Sequence, residues 1–288
     1  MNAIVERAAV AWPLLIAETI TFGTAALCTL ITPASEKDSA CRFESFWRVS
    51  ALVVLMTTPV VLLKATADMA RVSLPAAMAM VPQVVRQTHL GHVWSFSVAL
   101  TVALVAAAWL PMPLAVKSLS VCVLAAALLL CGSLVSHAVY RGAVAVGVHF
   151  IHQLAAALWL GAIVGLWLGA GRDARNPDWL RRAAPRVSRL AAWTVAVLLF
   201  TGLWTAYYGL GADPERLVDT LYGRTLLVKV GAASLALFIG AGNRYRVLPA
   251  LVKERSRRAL LRNVSVESLL LIGVLAVAAL LANTPPAH

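Results

Sequence analysis

The sequence predicts an all-α, polytopic membrane protein with eight transmembrane helices in one domain. Three observations carry this. The 288 residues are 60% hydrophobic with mean hydropathy +0.81. Only 13% are charged, about half of what a soluble domain carries. Apolar runs of 18 or more residues recur along the chain, each long enough to cross a hydrocarbon core of about 30 Å.

The spans fall at about 8–31, 46–66, 91–110, 117–139, 144–170, 187–208, 223–242 and 265–282. The first is too long for a signal-peptide core, lacks a basic lead and is expected to stay as a helix. Polar or turn-forming segments such as ITPASEKDSACR, WLPMPLAVK and GLGADPERLVDTLYG divide the spans. The longer link 67–90, with Pro75 and Pro82, has room for a short interfacial helix.

Lys and Arg set the expected orientation. The links after the odd-numbered spans, with Lys117 and the arginine-rich 172–186 and 244–262 segments, hold 15 of them. The opposite side holds 5. The positive-inside rule then puts both termini outside. The net charge of +12 follows from the same bias and from attraction to anionic lipid in the bilayer, so no nucleic-acid partner is expected. Cys28, Cys41, Cys122 and Cys131 show no CxxC spacing.

The chain also echoes itself. RVS recurs at 48–50 and 186–188, Gly23 and Gly161 share that offset of 138, and THLGHVW at 88–94 resembles TLYGRTL at 220–226. The matches predict two parallel four-helix repeats, about 1–142 and 143–288. Secondary transporters often place their sites between such halves.

All six histidines map to the outer side. His89 and His92 open the third span, His137 closes the fourth, His149 and His152 enter with the fifth, and His288 ends the chain. The i, i+3 spacing puts His149 and His152 on one helix face, which Trp159 continues inward. Imidazole is a common metal ligand, and histidines at one membrane level suit Cu, Zn or haem iron. His137, His149, His152, His89 and His92 are therefore candidate metal ligands; the plainer reading of each is a hydrogen-bonded packing residue. Met69, Met78 and Met80 offer soft thioethers on the same side but are also ordinary apolar filler. Glu18 and Lys229 lie inside spans, where a charge is costly unless paired or facing water. They are candidates for a transport path or for pairing with each other. No Walker A sequence, HExxH or nucleophile elbow is present, and no enzyme activity is expected.

The stretches HQLAAALWLGAIVGLWL from His152, YGRTLLVKVGAASLALFIGAGNRYR and LRNVSVESLLLIGVLAVAALLANTPP resemble the copper-resistance protein D family. The likeness is strong over about 130–288 and looser before it. Its sharpest marks are His152 to Gly161, Tyr222 to Lys229, and Glu267. The resemblance implies a bacterial inner-membrane protein of about eight helices that handles copper and works beside a periplasmic copper-binding protein of the copper-resistance C type. His137 and His152 fit the family pattern. The leading expectation is copper transport from periplasm to cytoplasm. Alternatives are a b-type haem electron-transfer protein and a non-transporting membrane partner of a periplasmic copper carrier.

Overall fold

The structure is a computed structural model that describes residues 2–31, 37–170 and 177–287. His288, Arg172 and Arg175 lie outside the described residues, as does the side chain of Lys37. Among the described residues ten α-helices are formed: α1 (Asn2–Ile31), α2 (Lys37–Ala70), α3 (Leu74–Gln87), α4 (His89–Trp109), α5 (Leu114–Leu134), α6 (Ala143–Ala170), α7 (Pro177–Gly209), α8 (Arg216–Asp219), α9 (Leu221–Gly242) and α10 (Glu254–Asn283). Among the described residues eight of them, all but α3 and α8, are long and apolar enough to cross a membrane. The protein is a multi-pass, all-α membrane protein.

Several helices outrun the apolar windows that announced them. Helix α7 begins at Pro177 and α10 at Glu254, ten or more residues before the hydrophobic windows at 187 and 265. Both extensions carry Arg and Glu or Asp pairs at helical spacing, such as Arg258–Glu254 at 3.0 Å, which suit a helix standing in water beyond the lipid. The link 67–90 does hold a short helix, α3, entered through Pro75 in its first turn. The fourth span ends earlier than expected. Ser136 accepts a hydrogen bond from the Ala138 N–H and starts a 3₁₀ turn, His137–Arg141, so His137 stands beyond α5.

Contacts fix which ends share a side. At one end, Arg7 pairs with Asp68 at 2.8 Å, His89 meets the Leu134 carbonyl, and Arg141 donates to the Tyr208 carbonyl. The Ala287 N–H donates to the Gly209 carbonyl there. The start of α1 and the end of α10 both lie at this end, with His89, His92, His137, His149 and His152. At the other, basic end, Arg42 caps the last carbonyls of α6, Leu168 and Gly169, at 2.6 and 2.7 Å. Lys117, read from the sequence as a link charge, sits in the first turn of α5. It is 2% exposed and bonded to Glu44 at 2.9 Å.

Helices α1 and α6 are the most buried of the eight spans and form the centre of the bundle. They cross at Gly23 and Gly161. A Cβ on either glycine would overlap the other helix's main chain, so only glycine permits this approach. Helices α4 and α9 open in the same way. Thr88 accepts from the Gly91 N–H at 2.9 Å, and Thr220 from the Gly223 N–H at 3.0 Å. Each glycine also leaves room for carbonyls of the short helix before it.

A candidate metal-capture site on the central helix

Helix α6 carries polar side chains from the histidine end inward, and they find partners on three neighbours, α5, α7 and α10. His152 places Nδ1 2.8 Å from Thr201 Oγ1 of α7. The Thr201 hydroxyl proton is already used on the Val197 carbonyl at 2.7 Å. His152 Nδ1 must therefore carry the hydrogen and donate, which leaves Nε2 with a free lone pair in the neutral ring. This is the arrangement that metal-ligating histidines adopt: one ring nitrogen donates to a fixed oxygen and the other faces the metal.

His149 repeats the logic toward α5. Its Nδ1 stands 3.2 Å from Ser133 Oγ. Ser133 has one hydroxyl proton and two acceptors waiting for it, Gln153 Oε1 at 3.0 Å and the Leu129 carbonyl at 3.2 Å. The imidazole again donates from Nδ1 and keeps Nε2 open. Both histidines are half-buried. His137, exposed on the 3₁₀ turn, stands within electrostatic reach of His149, and Lys229 within reach of both His149 and His152.

The five candidate ligands do not converge. His89 and His92 are exposed and use Nε2 on main-chain carbonyls of Leu134, at 3.0 Å, and Arg86, at 3.1 Å. A carbonyl only accepts, so both rings donate there and act as ties between segments. Although His149 and His152 share a face by spacing, their rings turn to α5 and α7. Among the described residues no three of His, Cys, Asp and Glu form a group that could hold a metal. Haem held by two histidines needs ligands on facing helices at matched depth. The two inward histidines are on one helix, and the geometry lends haem no support.

Of the two readings of Glu18 and Lys229, the mutual pairing is not made; neither has an ion-pair partner among the described residues. Glu18 lies on the side of α1 near Cys131 of α5, whereas Lys229 of α9 lies near the α6 histidines. Met69 and Met78 are exposed, and Met69 lines a cavity of about 420 Å³ with Arg7, Lys64, Asp68 and Asn283 at the histidine end.

Farther inward, Trp159 Nε1 donates to Glu267 Oε1 of α10 at 3.2 Å. The Asn243 carboxamide stands beside the Glu267 carboxyl, and its own Oδ1 accepts from Asn263 Nδ2 at 2.8 Å. Trp159 and Glu267 were legible as marks, but the two asparagines, Thr201, Ser133 and Gln153 were not singled out. Their signal is similar for all: a hydrogen-bonding side chain within or at the edge of an apolar span, which lipid tolerates only when it is satisfied.

Two family models match the chain. Residues 5–145 match the one described as Copper resistance protein D-like, N-terminal domain, and residues 181–281 match Copper resistance protein D. The chain belongs to the copper-resistance protein D family. Copper transport protein CutJ of Bacillus subtilis (strain 168) is 31% identical over 163 residues, which cover 55% of this chain and 29% of that protein. The match thus spans less than a third of the relative's length. No solved structure matches.

Proposed function

We propose that this copper-resistance D family member carries copper inward across the bacterial inner membrane. Capture occurs on the periplasmic side at His152 and His149, with His137 at the rim. The observation that carries the reading is the His152–Thr201 hydrogen bond, which fixes the ring and leaves Nε2 open. The named copper transporter among its relatives supports the choice of metal. The excess of Lys and Arg at the end opposite the histidines supports a periplasmic histidine end, with both termini there.

A site with few ligands suits transport. Conduction needs binding that is favourable enough to load and weak enough to release. The open Nε2 atoms of His152 and His149, on rings that turn to different helices, are weak single ligands of that kind. A protonated Lys229 nearby would oppose tight retention of any cation, because like charges repel strongly where water is scarce. A periplasmic copper-binding protein of the copper-resistance C type is the partner that would load the site. The halves about 1–142 and 143–288 are read as parallel repeats, supported by the matched threonine caps of α4 and α9 and by the Gly23–Gly161 crossing. Leu14 holds the place in α1 that His152 holds in α6 at the offset of 138, so one site per chain is expected.

Copper retained per chain after desalting tests the assignment. The original protein is expected to hold one copper and His152→Ala to lose it at equal helical content. Equal retention in both would return His152 to a packing role.

A further inference from the structure

We infer that Glu267 is a proton-binding carboxyl on the route between the histidine site and the basic end of the bundle, held in place by Trp159, Asn243 and Asn263. Its part in transport rests on the copper-transport reading above; its binding of a proton does not.

Glu267 is 4% exposed and sits inside a spanning helix. Its hydrogen bond comes from Trp159, a neutral donor, and the neutral Asn243 carboxamide stands beside it. Gly240 of α9 faces it. A Cβ there would lie 3.0 Å from Glu267 Oε1, so glycine keeps the space beside the carboxyl clear. Asn243 opens a π-helical turn, Asn243–Val247, directly after α9. Such turns insert a residue, redirect side chains and are frequent at functional sites. Here the turn aims Asn243 at both Asn263 and Glu267.

No cation balances the carboxyl. Among the described residues Glu267 has no ion-pair partner. Lys229 of α9 lies by the histidines, and Arg244 of the π turn donates to Ser188 of α7 at 3.0 Å. Tyr245 is exposed. Helix α6 presents Trp159, with His152 two turns away, and Glu18 of α1 lies near Cys131. An uncompensated carboxylate at this depth costs several kcal/mol. A proton removes that cost, and so does a passing cation. The residents of the site are carboxyl, carboxamide and indole groups, with no sulfur or imidazole, a set poorly suited to holding copper. The proton is the fitting ligand.

The placement gives the proton a way out. Asn263, partly exposed, lies one helical turn (~6 Å) nearer the basic end than Glu267. Trp159 lies seven residues (~10.5 Å) beyond His152 along α6. The step is acid dissociation alone: the Glu267 O–H bond breaks, the proton goes to water at the basic end, and the carboxylate remains for the passing cation. A proton from the same water restores the acid afterwards.

Two measurements on the full chain in proteoliposomes test this. A hydrophobic carbodiimide adds only to a protonated carboxyl, and mass spectrometry locates the adduct. In copper-free vesicles the Glu267 peptide is expected to be labelled, with yield falling as pH rises. No label at any pH, or a yield flat with pH, overturns the proton site. Copper uptake is then followed against internal pH for the original protein and Glu267→Gln. The original is expected to depend on internal pH and the variant to lose that dependence. Retained dependence in the variant removes Glu267 from the route. If labelling titrates while no protein moves copper, the proton site stands and the transport reading fails.

Discussion

Gly23 and Gly161, 138 residues apart, meet main chain to main chain where α1 crosses α6. The crossing sets how closely the two central helices approach, and therefore where α6 presents His152 and Trp159. Ala at either position forces Cβ into main-chain atoms that have nowhere to go. Gly161→Ala is expected to cost ~1–3 kcal/mol by overpacking. Gly147→Ala in the same helix, where a Cβ meets open space, is expected to cost nothing. Thermal loss of the monodisperse peak in detergent compares the two.

Thr201 orients His152 without touching the metal in this reading. Thr201→Val keeps the shape and removes the acceptor for Nδ1–H, freeing the ring to turn or to change tautomer. Copper(I) affinity, measured by competition with a chromophoric chelator, is expected to fall roughly 10–100-fold. Thr201→Ser keeps the oxygen and is expected to stay near the original.

Lys117 and Glu44 form a buried pair at the basic end, with Lys117 side chain 3% exposed and Glu44 25%. Glu44→Gln strands an ammonium and is expected to destabilise by roughly 3 kcal/mol, at the low end for broken buried pairs because Glu44 is partly solvated. The double change Glu44→Gln with Lys117→Met is expected to recover part of that loss. Unfolding midpoints of the two singles and the double give the cycle; purely additive losses would show that the pair is uncoupled.

Sidedness has a direct chemical test. Tyr140 and Val252 are 89% and 73% exposed and lie at opposite ends of the bundle. In a Cys41→Ser background, which removes the exposed native thiol, Tyr140→Cys is expected to react with an impermeant thiol reagent in intact spheroplasts. Val252→Cys is expected to react only after lysis. The reverse pattern would invert the orientation and the direction of transport with it.

The sequence made the spans and the shared end of the five described histidines legible, because both depend on local composition and chain order. Helix ends were less legible. Apolar composition stops where charge begins, yet α7 and α10 continue as helix into water, and Ser136 diverts the chain into a 3₁₀ turn at His137. The side-chain partnerships were not legible at all. Whether His149 meets Ser133 and His152 meets Thr201 depends on which helices flank α6, and spacing along α6 says nothing of that. Glu267 and Trp159 are 108 residues apart and meet only because α10 packs on α6. That Glu18 does not pair with Lys229, one of the two readings open to them, has the same origin: Glu18 lies near Cys131 of α5 and Lys229 near the α6 histidines.

Copper uptake into proteoliposomes that contain only this protein tests the central claim most directly. Copper is expected to accumulate inside vesicles holding the original protein, and uptake to fall to the empty-vesicle level with His152→Ala at equal incorporation. Uptake by His152→Ala equal to that of the original, or no uptake by either, would contradict it.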